Sequence, residues 1–566
     1  MSSDDRFTMD VLREAFIAVA DEMFVSLQRT SQSPVIYEVL DFAVGVTDTQ
    51  GELVSQGNGI AGFLGPLGEA VRDTIVRVPD LGSGDVVATN DPFAGGGTHL
   101  SDVALVRPVF VGEEVLGYAA AKGHWTEVGG KDPGSWTADS RDVFQEGLQL
   151  PFVRVVRRGV LDADLAAVLQ ANSRLPAQVL GDLVAQAACL EVAERRMTEL
   201  CERYSVPTVR RAMLAVHARS EALALAALAE LPAGTYEAED LIDDDGVGGG
   251  PFPIRVRVTI SSDAMVCDFT GTHEQVGGPV NCTWSGLVSG VRTVFKAVTD
   301  PAEPPSDAWF RPLRIVCPPG TIFTARRPAP VAAYFEATEP ATDLVWKALA
   351  PLDPERLTAG SYVSVCSTSI ATTHPDTGED TLLVEPQPGG WGASAIQDGE
   401  SVLVSVGDGE TYTIPVEVCE QRYGIRVERF AFDVVDGAGA GRRRGGRGMV
   451  REYQIVSDRA LLTVVFGRHR FPPWGAAGGA DGSVNYVEVV PVDGSAPRRF
   501  GKAAALPLVR GDLVRLVTGT GGGYGDPRER EPDLIRRDLE DGMISERDAR
   551  EVYGLDADRP SRVAPD

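Results

Sequence analysis

The amino-acid sequence predicts a multidomain mixed α/β protein of the α+β kind, with a helical segment near residues 160–231 and a β-rich second half. Three observations predict it. From Asp162 to Leu231 the composition shifts to alanine, leucine and glutamate, with apolar residues at helical spacing. After Pro232-Ala233-Gly234 the texture turns to the alternation of PIRVRVTI and AMVCDFTG, the mark of half-buried strands. At 566 residues the chain has room for about three or four domains of ordinary size. The expected regions are 1–158, mixed α/β; 159–232, helical; 233–353, β-rich α/β; 354–530, β-rich and glycine-rich; and 531–566, a C-terminal helical tail.

Residues 8–28 read as an amphipathic helix, because Leu12, Phe16, Ala20, Met23 and Leu27 recur at spacings of three and four. Phe42–Thr47 and Glu52–Ser55 flank the turn signal Asp48-Thr49-Gln50-Gly51, which predicts a hairpin. Leu64, Leu67, Val71, Ile75 and Val78 predict a second helix, followed by a strand over Asp85–Thr89. Three helices are the simplest reading of 162–231, with breaks at Leu175-Pro176 and Ser205-Val206-Pro207. His217 there is read as a surface or packing histidine. A further helix is expected over 342–350, then glycine-rich strands, then a charged helical piece over Pro532–Gly554.

Asn90 to Pro151 is where the chemistry concentrates. It holds two of the six histidines, His99 and His124, each in a glycine-rich corner with a carboxylate three residues on, Asp102 and Glu127. Two β-branched runs, Val103–Val111 and Val115–Ala121, flank Gly112-Glu113-Glu114 and predict a hairpin. A hairpin returns its ends to each other, and antiparallel neighbours lie roughly 5 Å apart. His99, Asp102 and His124 are therefore expected to gather. Imidazole and carboxylate suit a divalent ion such as zinc or manganese, and Asp41, before the strand Phe42–Thr47, is the candidate fourth ligand. Spacing leaves a second reading open, in which each pair fixes a loop by a hydrogen bond.

Net charge is −28, from 53 basic and 81 acidic residues, a balance that repels phosphate backbones and excludes nucleic-acid binding. No apolar run approaches the length of a membrane span, and the N-terminus lacks the pattern of a signal peptide. Seven scattered cysteines without a C-x-x-C pair read as reduced thiols, so a soluble cytoplasmic protein is expected. GAGAGRRRGGRG at 437–448 fails the dinucleotide fingerprint, and no P-loop is present. It is read as a structural or subunit-contact loop, and GTGGGYGDP at 519–527 as a turn cluster.

The blocks NDPFAGGGTHLSDVALVRPVF, GHWTEVGGKDPGS and FQEGLQLP resemble the hydantoinase B family, which takes in the second subunit of ATP-dependent hydantoinases and caprolactamase, the matching half of 5-oxoprolinase and the related subunit of ketone carboxylases. The likeness continues through LDFAVGVTDTQGELVSQ at 40–56, DFTGTHEQVGGPVNCTWSG at 268–286 and TGTGGGYGDP at 518–527. It implies a divalent metal, zinc or manganese, on Asp41, His99, Asp102 and His124. It also implies a hydantoinase A type partner that binds ATP and magnesium, a small cyclic amide as substrate, and an (αβ)2 hetero-oligomer. Glu127 or Glu146 would then orient a ligand or accept a proton, with hydrogen bonding to backbone amides in the glycine corners as the alternative. Two departures stand out: Gly59-Ile60-Ala61 where many relatives carry His-Ile-Pro, and Glu127 where many carry aspartate. A ketone carboxylase subunit and a non-catalytic scaffold are the competing functions.

Overall fold

A computed structural model describes residues 3–57, 59–63, 65–434 and 437–555. Leu64 of the second expected helix and positions 556–566 of the expected tail lie outside the described residues. The first part of the chain runs α1 (Ser3–Thr30), the helical turn α2 (Pro34–Tyr37), β1 (Phe42–Thr47), β2 (Leu53–Gln56), α3 (Pro66–Arg77), β3 (Val86–Thr89), β4 (Asp102–Val111), β5 (Glu114–His124), β6 (Val153–Arg157) and β7 (Val160–Leu161). These strands make one antiparallel sheet in the order β2-β1-β5-β4-β3-β6-β7. Its central strands are buried on both faces, so α3 lays Leu67 and Val71 over Ala104, Val106 and Ala120 on one side, while α1 lays Leu12, Phe16 and Met23 on the other.

The helices α4 (Ala163–Ala171), α5 (Pro176–Tyr204) and α6 (Val206–Glu230) break at the two expected prolines. Leu183, Cys189 and Leu190 of α5 belong to the same core as Phe16, Val44 and Val103, so the helical segment completes the first sheet's core. Each such apolar side chain contributes about 1.5–3 kcal/mol by leaving water. By length and composition α6 is apolar enough to cross a membrane. Here its buried stripe, Val209, Met213, His217, Ala224 and Leu228, packs inside the protein. His217 is buried as a packing residue, with Nδ1 on the Ser306 hydroxyl at 3.2 Å and Nε2 3.5 Å from Asp48.

A second sheet follows, in the order β11-β10-β9-β8, from β8 (Gly234–Ile242), β9 (Phe252–Ile260), β10 (Met265–Asp268) and β11 (Leu313–Val316). Burial along β9 alternates at every residue, as its sequence does. Two helices cover this sheet, α7 (Trp284–Thr299) and α8 (Phe335–Leu349). Sequence reading passed over α7. It is buried almost all round, leaving no polar stripe to give the helical period away. α8 begins at Phe335 rather than Thr342, because its first turns carry Glu336, Thr338 and Glu339, polar residues that are nonetheless buried.

The remainder, which includes the helix α9 (Val416–Arg422), is built chiefly from strands: β12 (Ser367–Thr373), β13 (Asp380–Glu385), β14 (Ile425–Phe432), β15 (Met449–Ile455), β16 (Arg459–Val465), β17 (Tyr486–Val490), β18 (Arg498–Phe500), β19 (Lys502–Val509) and β20 (Leu513–Val517). They form two antiparallel sheets, β13-β12-β16-β19 and β14-β15-β20-β17-β18, around a core that includes Ile370, Leu383, Tyr453, Leu462 and Val514. The glycine-rich segments interlock. The amides of Gly439 and Gly446 donate to Gly521 and Trp391 carbonyls, and a Cβ on Gly521 would collide with the Trp391 carbonyl oxygen. Those amides are spent on the protein's own backbone, and Arg444 pairs with Asp538 of α10 (Pro532–Glu540) at 3.3 Å. All seven cysteines are free thiols, six of them buried.

His469 ties the last part to the second sheet, with Nδ1 3.0 Å from Asp243 and Nε2 2.9 Å from Asp244. Burial lowers its pKa, but the hydrogen bonds to the two aspartates win and raise it to about 9. A folded-state pKa above the unfolded one stabilises fully below about 6.5, and the gain is lost as pH rises through 9. The melting temperature is expected to fall between pH 7 and 9.5, with His469→Gln flattening that decline; an unchanged slope in differential scanning calorimetry refutes the assignment.

A candidate metal centre at one end of the first sheet

Three neighbouring strands in the order β1-β5-β4 deliver the site. β5 runs antiparallel to both neighbours, so its C-terminal end lies beside the starts of β1 and β4. The register pairs Asp102, first in β4, with His124, last in β5. Asp41 precedes β1, and its carbonyl accepts the His124 amide at 3.0 Å. Leu40 takes φ 64°, the left-handed region, to turn the chain into that position.

His99 reaches the same place from the glycine corner. Its Nε2 lies 3.1 Å from Asp102 Oδ1, and its ring centroid is 5.0 Å from that of His124. One potential ligand atom from each of His99, Asp102 and His124 falls within 4.8 Å of the others, and all three side chains are buried. Asp41 stands outside this compact trio but lines the same cavity, together with Trp136, Tyr334, Thr338, Glu339 and Asp408.

Electrostatics mark the cavity as short of positive charge. Burial, then the nearby carboxylates of Asp102 and Asp408, hold the Asp41 pKa well above the ordinary range. Burial acts the same way on Asp102, but His99 and then Lys122 outweigh it and hold that carboxyl below the usual range. Lys122 is itself buried; desolvation lowers it to about 8 against the pull of Asp102. Its ammonium donates to the Gly96 carbonyl at 3.0 Å and the Thr98 hydroxyl at 2.7 Å, and Thr98 in turn donates to Asp102. Desolvation and the neighbouring His99 push His124 down to about 3, so it is a neutral imidazole. Both His124 ring nitrogens are buried without a hydrogen-bond partner. A neutral imidazole left unsatisfied beside a carboxylate is the donor chemistry a divalent cation completes, and the residues present fit one.

The two glutamates do not line this cavity; each sits in its glycine corner and accepts from backbone amides there, the arrangement expected as the alternative. Glu127 accepts from Arg174 Nη1 at 2.7 Å, Ser173 Oγ at 2.9 Å and the Gly129 amide at 2.9 Å; its oxygens are used up clamping the corner to the start of α5. Glu146 is buried at the other glycine corner and accepts from Ser140 Oγ at 2.7 Å and from the Val331 and Ala332 amides at 2.8 and 2.9 Å. Burial nevertheless pushes it up to about 7. Its action on the site is indirect: the Ala332 carbonyl it helps place meets His99 Nδ1 at 3.1 Å, which fixes the ring with Nε2 toward Asp102. Glu146→Gln keeps the shape and disturbs those bonds, so metal affinity is expected to fall about 10–100-fold in equilibrium dialysis; wild-type affinity refutes the link. Sequence reading missed Lys122, Trp136, Tyr334, Glu339 and Asp408. The last three come from outside Asn90–Pro151, and no local spacing ties them to it.

Fold and site together define an α+β chain whose buried carboxylate–imidazole cavity is formed by strand ends and closed by α8. Residues 5–527 match the Hydantoinase B/oxoprolinase family, and the chain belongs to it. It is 30% identical to one subunit of a putative D-/L-hydantoinase from Pseudomonas sp. (strain NS671), over 97% of this chain and 95% of that one. Among solved structures it is similar to ATP-dependent caprolactamase from Pseudomonas jessenii, with TM-score 0.92 and 28% identity over 99% of this chain and 98% of that one. Nucleotide-free acetone carboxylase shares the fold at TM-score 0.90 and 18% identity, over 97% of this chain and 79% of that one.

Proposed function

We propose that this chain is the metal-bearing subunit of an ATP-dependent hydrolase of cyclic amides, such as a hydantoin, 5-oxoproline or a lactam. It acts with a hydantoinase A type partner that binds ATP and magnesium, in an (αβ)2 assembly in the cytoplasm. The observation that carries the reading is the unpartnered, buried His124 beside Asp102 and His99. His99, Asp102 and His124 would hold the ion, with Asp41 on the adjoining wall. A bound divalent ion there supplies Lewis acidity and lowers the pKa of water from about 15.7 toward about 7.

The chain's own residues do the rest. Ala332 and Glu146 keep His99 in one orientation, Lys122 and Thr98 hold Asp102 as an anion, and Trp136 and Tyr334 close the cavity against bulk water. Exclusion of water strengthens every charge interaction inside. The test is ADP release by the co-expressed complex with hydantoin, 5-oxoproline and ε-caprolactam, compared with acetone plus bicarbonate. Ring opening tied to ADP release supports the proposal. Turnover confined to the ketone and bicarbonate overturns it in favour of a carboxylase.

A further inference from the structure

We infer that Glu339, backed by Asp408, carries the proton to and from the ring nitrogen of the substrate, on the cavity wall contributed by α8. This rests on the cyclic amide reading above. Glu339 comes from the buried first half of α8 and lines the same cavity as His99, Asp102 and His124. Its Oε2 is buried with no hydrogen-bond partner, and Oε1 is packed so tightly on Gly407 that a Cβ there would collide with it. A buried carboxylate oxygen left unsatisfied is costly unless a ligand uses it.

The wall around it has the same character. Thr411 lines the cavity too, and its hydroxyl is likewise buried without a partner. Asp408 also lines it, and its Oδ2 accepts from Ser405 Oγ at 3.1 Å. Charge counting shows what the pair must do. With a divalent ion bound, Asp41, Asp102, Glu339 and Asp408 would bring four negative charges to one cavity, against three positive ones from that ion and the Lys122 ammonium. One negative charge is left over, and two buried carboxylates without a cation share a proton. Burial followed by mutual repulsion raises Glu339, and burial raises Asp408 to about 7. Glu336 on α8 adds to that repulsion, while the Gly407 amide and the Ser405 hydroxyl oppose it.

The step balances. The attacking water gives one proton to the Glu339–Asp408 pair as its oxygen bonds to the ring carbon. The carbon–nitrogen bond then breaks with its electron pair on nitrogen, and the pair returns one proton to that nitrogen.

The experiment compares wild type, Glu339→Gln and Asp408→Asn in the co-expressed complex, by metal content, melting temperature and steady-state ADP release with hydantoin, 5-oxoproline and ε-caprolactam. For Glu339→Gln the expected result is wild-type metal content, an unchanged or raised melting temperature, and kcat lowered about 10²–10⁴-fold with KM little changed. Asp408→Asn is expected to shift kcat in the same direction by less. The inference falls if Glu339→Gln loses the metal, which makes Glu339 a ligand, or loses thermal stability, which makes it structural. It also falls if kcat stays near the wild-type value. A wild-type complex that opens none of the three rings overturns the functional reading itself, a result distinct from any of these.

Discussion

His99→Ala and Asp102→Ala are each expected to strip the divalent metal from the purified complex and to lower ATP-dependent ring opening by more than the roughly 100-fold that follows loss of an outer-shell partner. His99 and Asp102 face each other at 3.1 Å, and both contribute to the compact trio, so neither loss can be made good by the other. Folding should survive, because each alanine leaves the strand pairing of β4 and β5 in place. Mass spectrometry of metal content decides it. Wild-type protein without metal, or Asp102→Ala with full activity, makes the histidine corners structural and the chain a scaffold for its partner.

Lys122→Met should have the second largest effect, on stability. Lys122 is 1% exposed and is the buried cation nearest Asp102, 3.9 Å away, besides holding the Gly96 carbonyl. Removing one partner of a buried charge pair leaves the other desolvated and uncompensated, a cost of about 3–5 kcal/mol. A fall in melting temperature of roughly 3–8 °C is expected on that scale. Adding Asp102→Asn should recover part of it, since the orphaned charge is then gone. A single mutant as stable as wild type shows that the Lys122 ammonium is not needed to offset Asp102.

Much of this was legible from local pattern. Phe42–Thr47, the three helices with breaks before Pro176 and at Ser205, and the hairpin between His99 and His124 follow from periodicity and turn residues acting over a few neighbours. The gathering of His99, Asp102 and His124 follows from the hairpin, whose two ends must meet. Where signals were local but mute, the sequence misled. α7 has no polar stripe because it is buried on nearly every side, and α8 hides its start behind buried glutamates that read as surface. Glu127 and Glu146 sit in the right blocks, but a carboxylate serves a backbone amide as readily as a substrate, and spacing does not say which.

What the sequence by itself determined is the set of elements, the family likeness and the cluster at the hairpin's ends. Only the tertiary structure decided the rest of the cavity: that Glu339, from a helix more than two hundred residues later in the chain, and Asp408, from a short 3-10 turn later still, complete the wall of the cavity that His124 lines. It also decided that Glu127 is spent on Arg174 and Ser173 while His124 keeps both nitrogens free. The physical reason is range. Secondary structure is set by side chains a few residues apart, whereas which polar atoms are satisfied is known only once every segment that can approach them is in place.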